Sequence, residues 1–377
     1  MTEDKKIRIG IVATHLSGTD GVSLETNKWV DVLKRMGHEC FFFCGESDSQ
    51  ENRKVTLVAE AHHMHPAIMQ INEALFIAKK RSQNTETAIY NIKNHLKSKL
   101  FEFSQSFELD LIIAENVLSL PMNLPLGLAF AEFIGQTSMP AIAHHHDFWW
   151  ERNRYMATPA EDYLQAAFPC TLKSIMHVVI NSVAAKQLAF RKGVSSVVIP
   201  NIMDFASPPA APDGYADDMR NELAIEKDAY FLLQPTRIVP RKKIEKAIEL
   251  VRRMDRKCVL VVTHDAGDEG FSYQAYLEQF AKLMDVKILF ASDRFDYQRK
   301  TTSQGLKVYS LSDAYSKADL VTYTSSMEGF GNAFLETIYY QKPIVIEAYE
   351  IFKLDIQPKG FKTIAFEDFI DRNVIMK

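Results

Sequence analysis

The sequence predicts a two-domain α/β protein in which each domain is a parallel sheet covered by helices on both faces. Three observations carry this reading. Short β-rich runs alternate with helix-period segments along all 377 residues, and such alternation implies sheets buried on both sides. That length is too great for one ordinary core. A stretch with neither period, Ser207-Pro208-Pro209-Ala210-Ala211-Pro212-Asp213-Gly214, separates two series of runs. The domains are therefore set at 1–206 and 215–377, with 207–214 as the hinge between them. Composition agrees: 47% hydrophobic and 24% charged residues suit a compact protein and exclude a disordered, collagen-like or coiled-coil chain. Forty-four basic residues against 48 acidic ones leave a net charge of −4, so no overall basic field draws the chain to nucleic acid or anionic lipid.

The run 7–14 reads as the first strand. It enters the turn-forming Ser17-Gly18-Thr19-Asp20-Gly21, after which Val22, Trp29, Val30 and Leu33 recur near helical spacing over 22–36. Gly37 stops that helix, and 39–44 is the next strand. Cys40 and Cys44 share a face of it but lie far apart along an extended backbone. Free thiols and a reducing cytoplasm follow as the expectation. Strands at 109–114, 141–144, 177–181 and 197–200 complete the first series. The apolar run 118–135 is interrupted by Pro121, Pro125 and Glu132, so it reads as a core-facing helix rather than a membrane span. The N-terminal Met1-Thr2-Glu3-Asp4-Lys5-Lys6 has no apolar leader region. The segment 79–99, with Lys79, Lys80, Arg81, Lys93, Lys97 and Lys99, reads as a helix with a solvated basic face. Contact with an anionic acceptor or a membrane surface is the lesser alternative. The second series places strands at 230–235, 259–263, 286–290, 320–323 and 344–346, with helices at 243–254, 273–284 and 331–340.

Ligands of open α/β sheets bind beyond the C-terminal ends of the strands, and the unusual residues of this chain collect there. They are Gly18–Gly21, His144-His145-His146-Asp147, Arg237 with Arg241 and Lys242, His264-Asp265, and Glu328-Gly329-Phe330-Gly331-Asn332. Two glycines let a backbone approach a ligand, and the helix starting near Gly331 turns free N–H groups and partial positive charge toward it. A phosphate suits that place, with Arg237 and Lys242 completing the neutralisation. Glu328 and Glu336 flank the anion site and suit hydroxyl recognition, a sugar on one side and a ribose on the other. A nucleotide sugar meets that description.

The same residues carry a resemblance. Asp313-Ala314-Tyr315-Ser316-Lys317-Ala318-Asp319-Leu320, running into Glu328-Gly329-Phe330-Gly331-Asn332-Ala333-Phe334-Leu335-Glu336, resembles the signature of group 1 (family 4) glycosyltransferases. Gln234-Pro235-Thr236-Arg237-Ile238-Val239-Pro240-Arg241-Lys242 resembles the family's diphosphate motif. Pro200-Asn201-Ile202-Met203-Asp204 is similar to the segment closing its N-terminal domain, and Gly18-Thr19-Asp20-Gly21-Val22 to its first loop. The resemblance implies a GT-B fold, two Rossmann-like domains whose parallel sheets face a central cleft. It implies retaining transfer of a hexose, mannose or glucose, from a GDP- or UDP-hexose to an acceptor hydroxyl, without cofactor or essential metal. The sequence has no Asp-x-Asp metal motif.

Carried over by position, Glu328 contacts donor sugar hydroxyls and Glu336 the ribose. Arg237, Lys242 and the loop Gly329, Phe330, Gly331 and Asn332 bind the diphosphate. Gly18, Thr19, Asp20 and Gly21 form the N-domain loop, and His146 lies by the transferred sugar. Asp147, Arg152 and Arg154 are the acceptor candidates, the two arginines otherwise stacking on the tryptophans Trp149 and Trp150. The acceptor is expected to be a sugar, polyol, glycan or anionic small molecule.

Three features depart from the family. Lys243 stands where a glycine is common, His264-Asp265 where a glycine-containing loop is usual, and the helices that normally follow the second domain are expected to be missing. Of the consecutive histidines, only His144 and His146 point to one face of an extended strand. With no Glu or Cys at recognisable spacing, no metal site is expected there. Ala61-His62-His63-Met64-His65-Pro66 reads as a loop after a short strand near Val55. A phosphorylase using a sugar 1-phosphate is the second enzymatic reading, disfavoured by Glu336. A nucleotide-sugar-binding subunit without turnover is the third.

Overall fold

The computed structural model describes residues 6–17, 21–48, 54–266 and 271–368. The chain divides into two compact units, Met1–Pro200 and Asn201–Lys377. The stretch 207–214 has no helix or strand. It is tied into the second unit, where the Ser207 carbonyl accepts the Tyr339 hydroxyl at 2.8 Å and Asp213 pairs with Arg299.

The first unit runs β1 (Arg8–Val12), α1 (Gly21–Arg35), β2 (Glu39–Cys44), β3 (Val55–Leu57), α2 (Pro66–Asn72), α3 (Gln83–Ser106), β4 (Leu111–Glu115), α4 (Leu124–Thr137), β5 (Ala141–His145), α5 (Asn153–Met156), α6 (Glu161–Ala167), β6 (Ile175–Val179), α7 (Ser182–Lys192) and β7 (Ser196–Val198). All seven strands pair in parallel in the order β3-β2-β1-β4-β5-β6-β7, so the winding reverses between β1 and β4. Period-two alternation splits β2 between two cores. Phe41 and Phe43 pack with Leu96, Leu100 and Phe103 of α3, while Cys40 and Phe42 pack with Val30 of α1. All four cysteines are buried free thiols.

The apolar run around residue 124 becomes α4. Pro125 sits in its first turn, where its missing N–H costs nothing, and the Asn123 side chain accepts from Leu126 N at 3.0 Å. Among the described residues no helix is long and apolar enough to cross a membrane. The basic segment forms most of α3, capped by Ser82. Much of its charge is spent internally: Lys93 and Lys97 both hold Glu132 of α4, and Arg81 holds Glu86 and Asp162.

The second unit runs α8 (Met219–Glu222), β8 (Tyr230–Gln234), α9 (Ile244–Arg253), β9 (Cys258–Val262), α10 (Ser272–Leu283), β10 (Lys287–Phe290), β11 (Phe295–Asp296), β12 (Lys300–Thr301), β13 (Lys307–Ser310), α11 (Leu311–Lys317), β14 (Leu320–Tyr323), α12 (Asn332–Tyr339), β15 (Ile344–Glu347) and β16 (Ile364–Phe366). Its main sheet is parallel in the order β10-β9-β8-β14-β15-β16, with the winding reversing between β8 and β14. Ile244, Ala247, Ile248 and Val251 of α9 fall on one helical face. They pack against Leu232, Leu260 and Val262 of the sheet. A small second sheet, β11-β13-β12, lies outside the sequence expectation because two of its strands have only two residues and show no period.

Candidate active site

In the second unit, the turn after β8 and the turn after β14 meet at the winding reversal. Lys242 ends a short 3₁₀ turn before α9, and its ammonium meets the Glu328 carboxylate. Both side chains are 10% exposed, and Arg241 adds a contact to the other Glu328 oxygen at 3.6 Å. Burial lowers the Lys242 ammonium pKa, against the opposing pull of Glu328. For Glu328, burial pushes upward, but the Lys242 charge and hydrogen bond outweigh it and hold the carboxyl below its usual range. The two therefore stand as an ion pair. Lys242 also lies 5.8 Å from the Tyr323 ring centroid, and the exposed Arg237 adds positive charge to the same corner.

The glycine loop is built for close approach. Gly331 has φ +120°, and a Cβ on it would lie 2.3 Å from the Tyr349 hydroxyl. That hydroxyl donates to the Phe330 carbonyl at 2.6 Å. Asn332 opens α12 and accepts from the Asn201 amide at 3.0 Å, tying the start of the unit to the head of the helix. One turn on, Glu336 Oε2 accepts the Tyr315 hydroxyl at 2.8 Å. Lys243, in the place of the expected glycine, adopts φ +49°, so the backbone keeps the left-handed geometry that a glycine would favour. The neighbouring His264 imidazole is pushed down to about 4 by burial and then by the Lys242 charge, and stays neutral.

In the first unit, the candidates stand where β4 and β5 end. Parallel pairing sets Glu115 opposite His144, and alternation puts His144 and His146 on one side, as the strand period predicts. Glu115 Oε2 takes both rings, His144 Nδ1 at 2.9 Å and His146 Nε2 at 3.4 Å. Burial pushes the Glu115 carboxyl upward, yet the His144 charge wins and holds it at about 2. His144 is raised, since Glu115 outweighs the burial that would lower it. His145 points the other way, onto Ser119 at 2.6 Å and His177 at 3.0 Å.

Asp147 binds Arg152 (Nε at 2.9 Å) and accepts from Asn116 at 3.3 Å. Arg152 is thus ion-paired, and Arg154 lies 4.5 Å over the Tyr155 ring. The cation over Trp150 is Arg191, at 5.2 Å. Of the N-domain loop, Gly21 is the first residue of α1, and Gly18, Thr19 and Asp20 lie outside the described residues.

Two groups among the described residues bring three possible metal ligands together, Glu115 with His144 and His146, and His15 with His62 and His63. In the second, His62 is engaged at both ring nitrogens, by the Met64 amide at 3.0 Å and Glu46 at 3.2 Å. Sequence reasoning found the glycine loop and the histidines, which are contiguous. It missed Glu115, Asn116, Tyr323 and Tyr349. Glu115 closes a strand whose neighbour carries the histidines, a signal visible only once the strand order is known.

Residues 216–354 match the family model described as glycosyl transferases, group 1. The chain is 32% identical to the mannosylglucosylglycerate synthase of Petrotoga mobilis, over 95% of this chain and 86% of that protein. It is 33% identical to the synthase of the same name from Thermotoga maritima, over 93% and 82%. A glycosyltransferase structure from Rickettsia africae superposes with a TM-score of 0.66 at 12% identity, covering 98% of this chain and 86% of that one, a likeness of fold. Both units have the parallel-sheet architecture of the GT-B glycosyltransferases. The family match across the second unit and the identity along nearly the whole chain place this protein among the group 1 glycosyltransferases.

Proposed function

We propose that this glycosyltransferase moves a hexose, mannose by the names of its relatives, from a GDP- or UDP-hexose to a hydroxyl of a glycerate-bearing acceptor. Taking mannose from the product named in both relatives leaves glucosylglycerate, an anionic sugar. The observation that carries the donor assignment is the buried Lys242–Glu328 pair beside the Gly331-headed helix. A buried cation tolerates loss of its partner poorly. A diphosphate bound by Arg237, Lys242 and the 329–332 loop therefore replaces Glu328 as the counter-charge, and Glu328 turns to the sugar hydroxyls. Glu336, presented by Tyr315, takes the ribose.

In the first unit, His146 attends the transferred sugar, and Asp147, Arg152 and Arg154 serve the acceptor. The arginines suit a carboxylate. Developing charge on the departing phosphate is met by cations and helix N–H groups, the role a metal plays elsewhere. Attack from the face that the phosphate leaves retains the anomeric configuration. Four buried free thiols suit a reducing cytoplasm. Incubation with GDP-mannose, GDP-glucose, UDP-glucose and UDP-mannose, each with glucosylglycerate, tests the reading by mass spectrometry. One added hexose is expected from a mannose donor. Sugar 1-phosphate turnover without nucleotide-sugar turnover would instead establish the phosphorylase.

A further inference from the structure

The His144–Asp147 loop is held from β4 by two consecutive residues that belong to no motif of the sequence. Glu115 is fully buried, and its Oε2 is shared by the His144 and His146 rings at 2.9 and 3.4 Å. Its Oε1 and His144 Nε2 are buried without a hydrogen-bond partner. The carboxylate is therefore committed to these two rings. The far face of His144 packs on Trp29 of α1, with ring centroids 4.4 Å apart.

Asn116 follows in the left-handed region at φ +59°, a conformation asparagine tolerates better than most side chains. That turn brings its amide to the residues that follow β5. Asn116 Oδ1 accepts the His146 backbone N–H at 3.2 Å, and its Nδ2 donates to Asp147 at 3.3 Å. Asp147 in turn holds Arg152. One residue thus fixes the His146 ring and the next fixes its backbone.

We infer that Glu115 and Asn116 are positioning residues for sugar transfer, clamping His146 and the Asp147–Arg152 pair in the orientation that turnover requires. The inference rests on the assignment of His146 to the transferred sugar. Its chemistry follows from the groups. An ionised carboxylate only accepts, so it keeps both facing ring nitrogens as N–H donors. Glutamine in its place does one of two things. It buries an unpartnered NH₂ where Oε1 stands, or it turns that NH₂ against the rings.

Glu115→Gln and Asn116→Asp test the clamp, with Glu115→Asp as the conservative variant. Asn116→Asp keeps the acceptor for the His146 amide but sets a second carboxylate against Asp147. For Glu115→Gln and Asn116→Asp, kcat is expected to fall about ten- to hundredfold. The Kd for GDP or UDP should stay within about threefold, because neither residue belongs to the diphosphate site. Glu115→Asp, which restores the acceptor charge, should recover part of kcat. Nitrogen NMR of ring-labelled histidine gives a readout independent of turnover: Glu115→Gln should shift the ring-nitrogen signals of His144 and His146, whose contacts it alters, and leave His264 unchanged. Unchanged ring signals in a folded Glu115→Gln protein would overturn the clamp, as would kcat within twofold of the parent in both variants. So would a cobalt(II) absorption band that depends on Glu115, since that would make the carboxylate a metal ligand. Absence of any transfer by the parent protein would count against the proposed function, while the ring signals would still judge the clamp.

Discussion

The roles proposed for Lys242 and His146 concern different parts of the donor. Lys242 is assigned to the diphosphate, which the product nucleotide keeps, and His146 to the sugar, which that product has lost. A charge-assisted hydrogen bond is worth roughly 1.5–3 kcal/mol, and a tenfold change in affinity about 1.4 kcal/mol. Lys242→Ala should therefore weaken GDP or UDP binding by on the order of ten- to a hundredfold. His146→Ala should leave that affinity within a few fold and sharply lower turnover. Calorimetric titration beside turnover measures both, and equal loss of nucleotide affinity would put His146 in the wrong half of the ligand. A second expectation concerns acid stability. Burial holds the His177 imidazole at about 4, well below its ordinary 6.5. Between those values the unfolded chain binds a proton that the folded chain refuses, so the stabilisation is complete above pH 6.5 and is lost as pH falls toward 4. At pH 5 this one group costs about 2 kcal/mol relative to pH 7.5. The melting temperature should fall between those pH values, and fall less in His177→Gln. An identical drop in the variant would show that His177 protonates freely in the folded state.

The head of α12 is the element whose sequence and geometry explain each other most fully. Gly331 needs both its φ of +120° and the absence of a Cβ that would meet the Tyr349 hydroxyl at 2.3 Å. Gly331→Ala should destabilise the protein by roughly 1–3 kcal/mol and weaken nucleoside diphosphate binding, read by thermal melting and by calorimetry. A variant with parental stability and affinity would mean that the loop relaxes without consequence. That loop was legible because Glu328, the two glycines and Glu336 lie on one continuous stretch. Lys243 shows the limit of such reading. Its identity departs from the usual glycine, yet its φ of +49° keeps the turn that a glycine would make. Glu115 was illegible for another reason: its partners are 29 and 31 residues away and become neighbours only through the pairing of β4 with β5. Tyr349 reaches Phe330 across 19 residues in the same way.

Across the whole molecule, the alternation of strand and helix was enough to foresee parallel sheets covered by helices. Strand order was not, because sequence spacing does not say on which side of β1 the strand β4 will pair. The candidate groups are divided, with the cations, glycine loop and paired carboxylate in one unit and the histidine cluster with its arginines in the other. Under the proposed function these groups pass a hexose on with its configuration kept, cations and helix N–H groups serving where a metal otherwise would. Proton NMR of the product, made in chelator from an anomerically defined nucleotide hexose and glucosylglycerate, is the decisive measurement for that reading. The new linkage is expected to show the donor's anomeric coupling at an undiminished rate. An inverted linkage, or transfer that stops in chelator and resumes with a divalent ion, would contradict it.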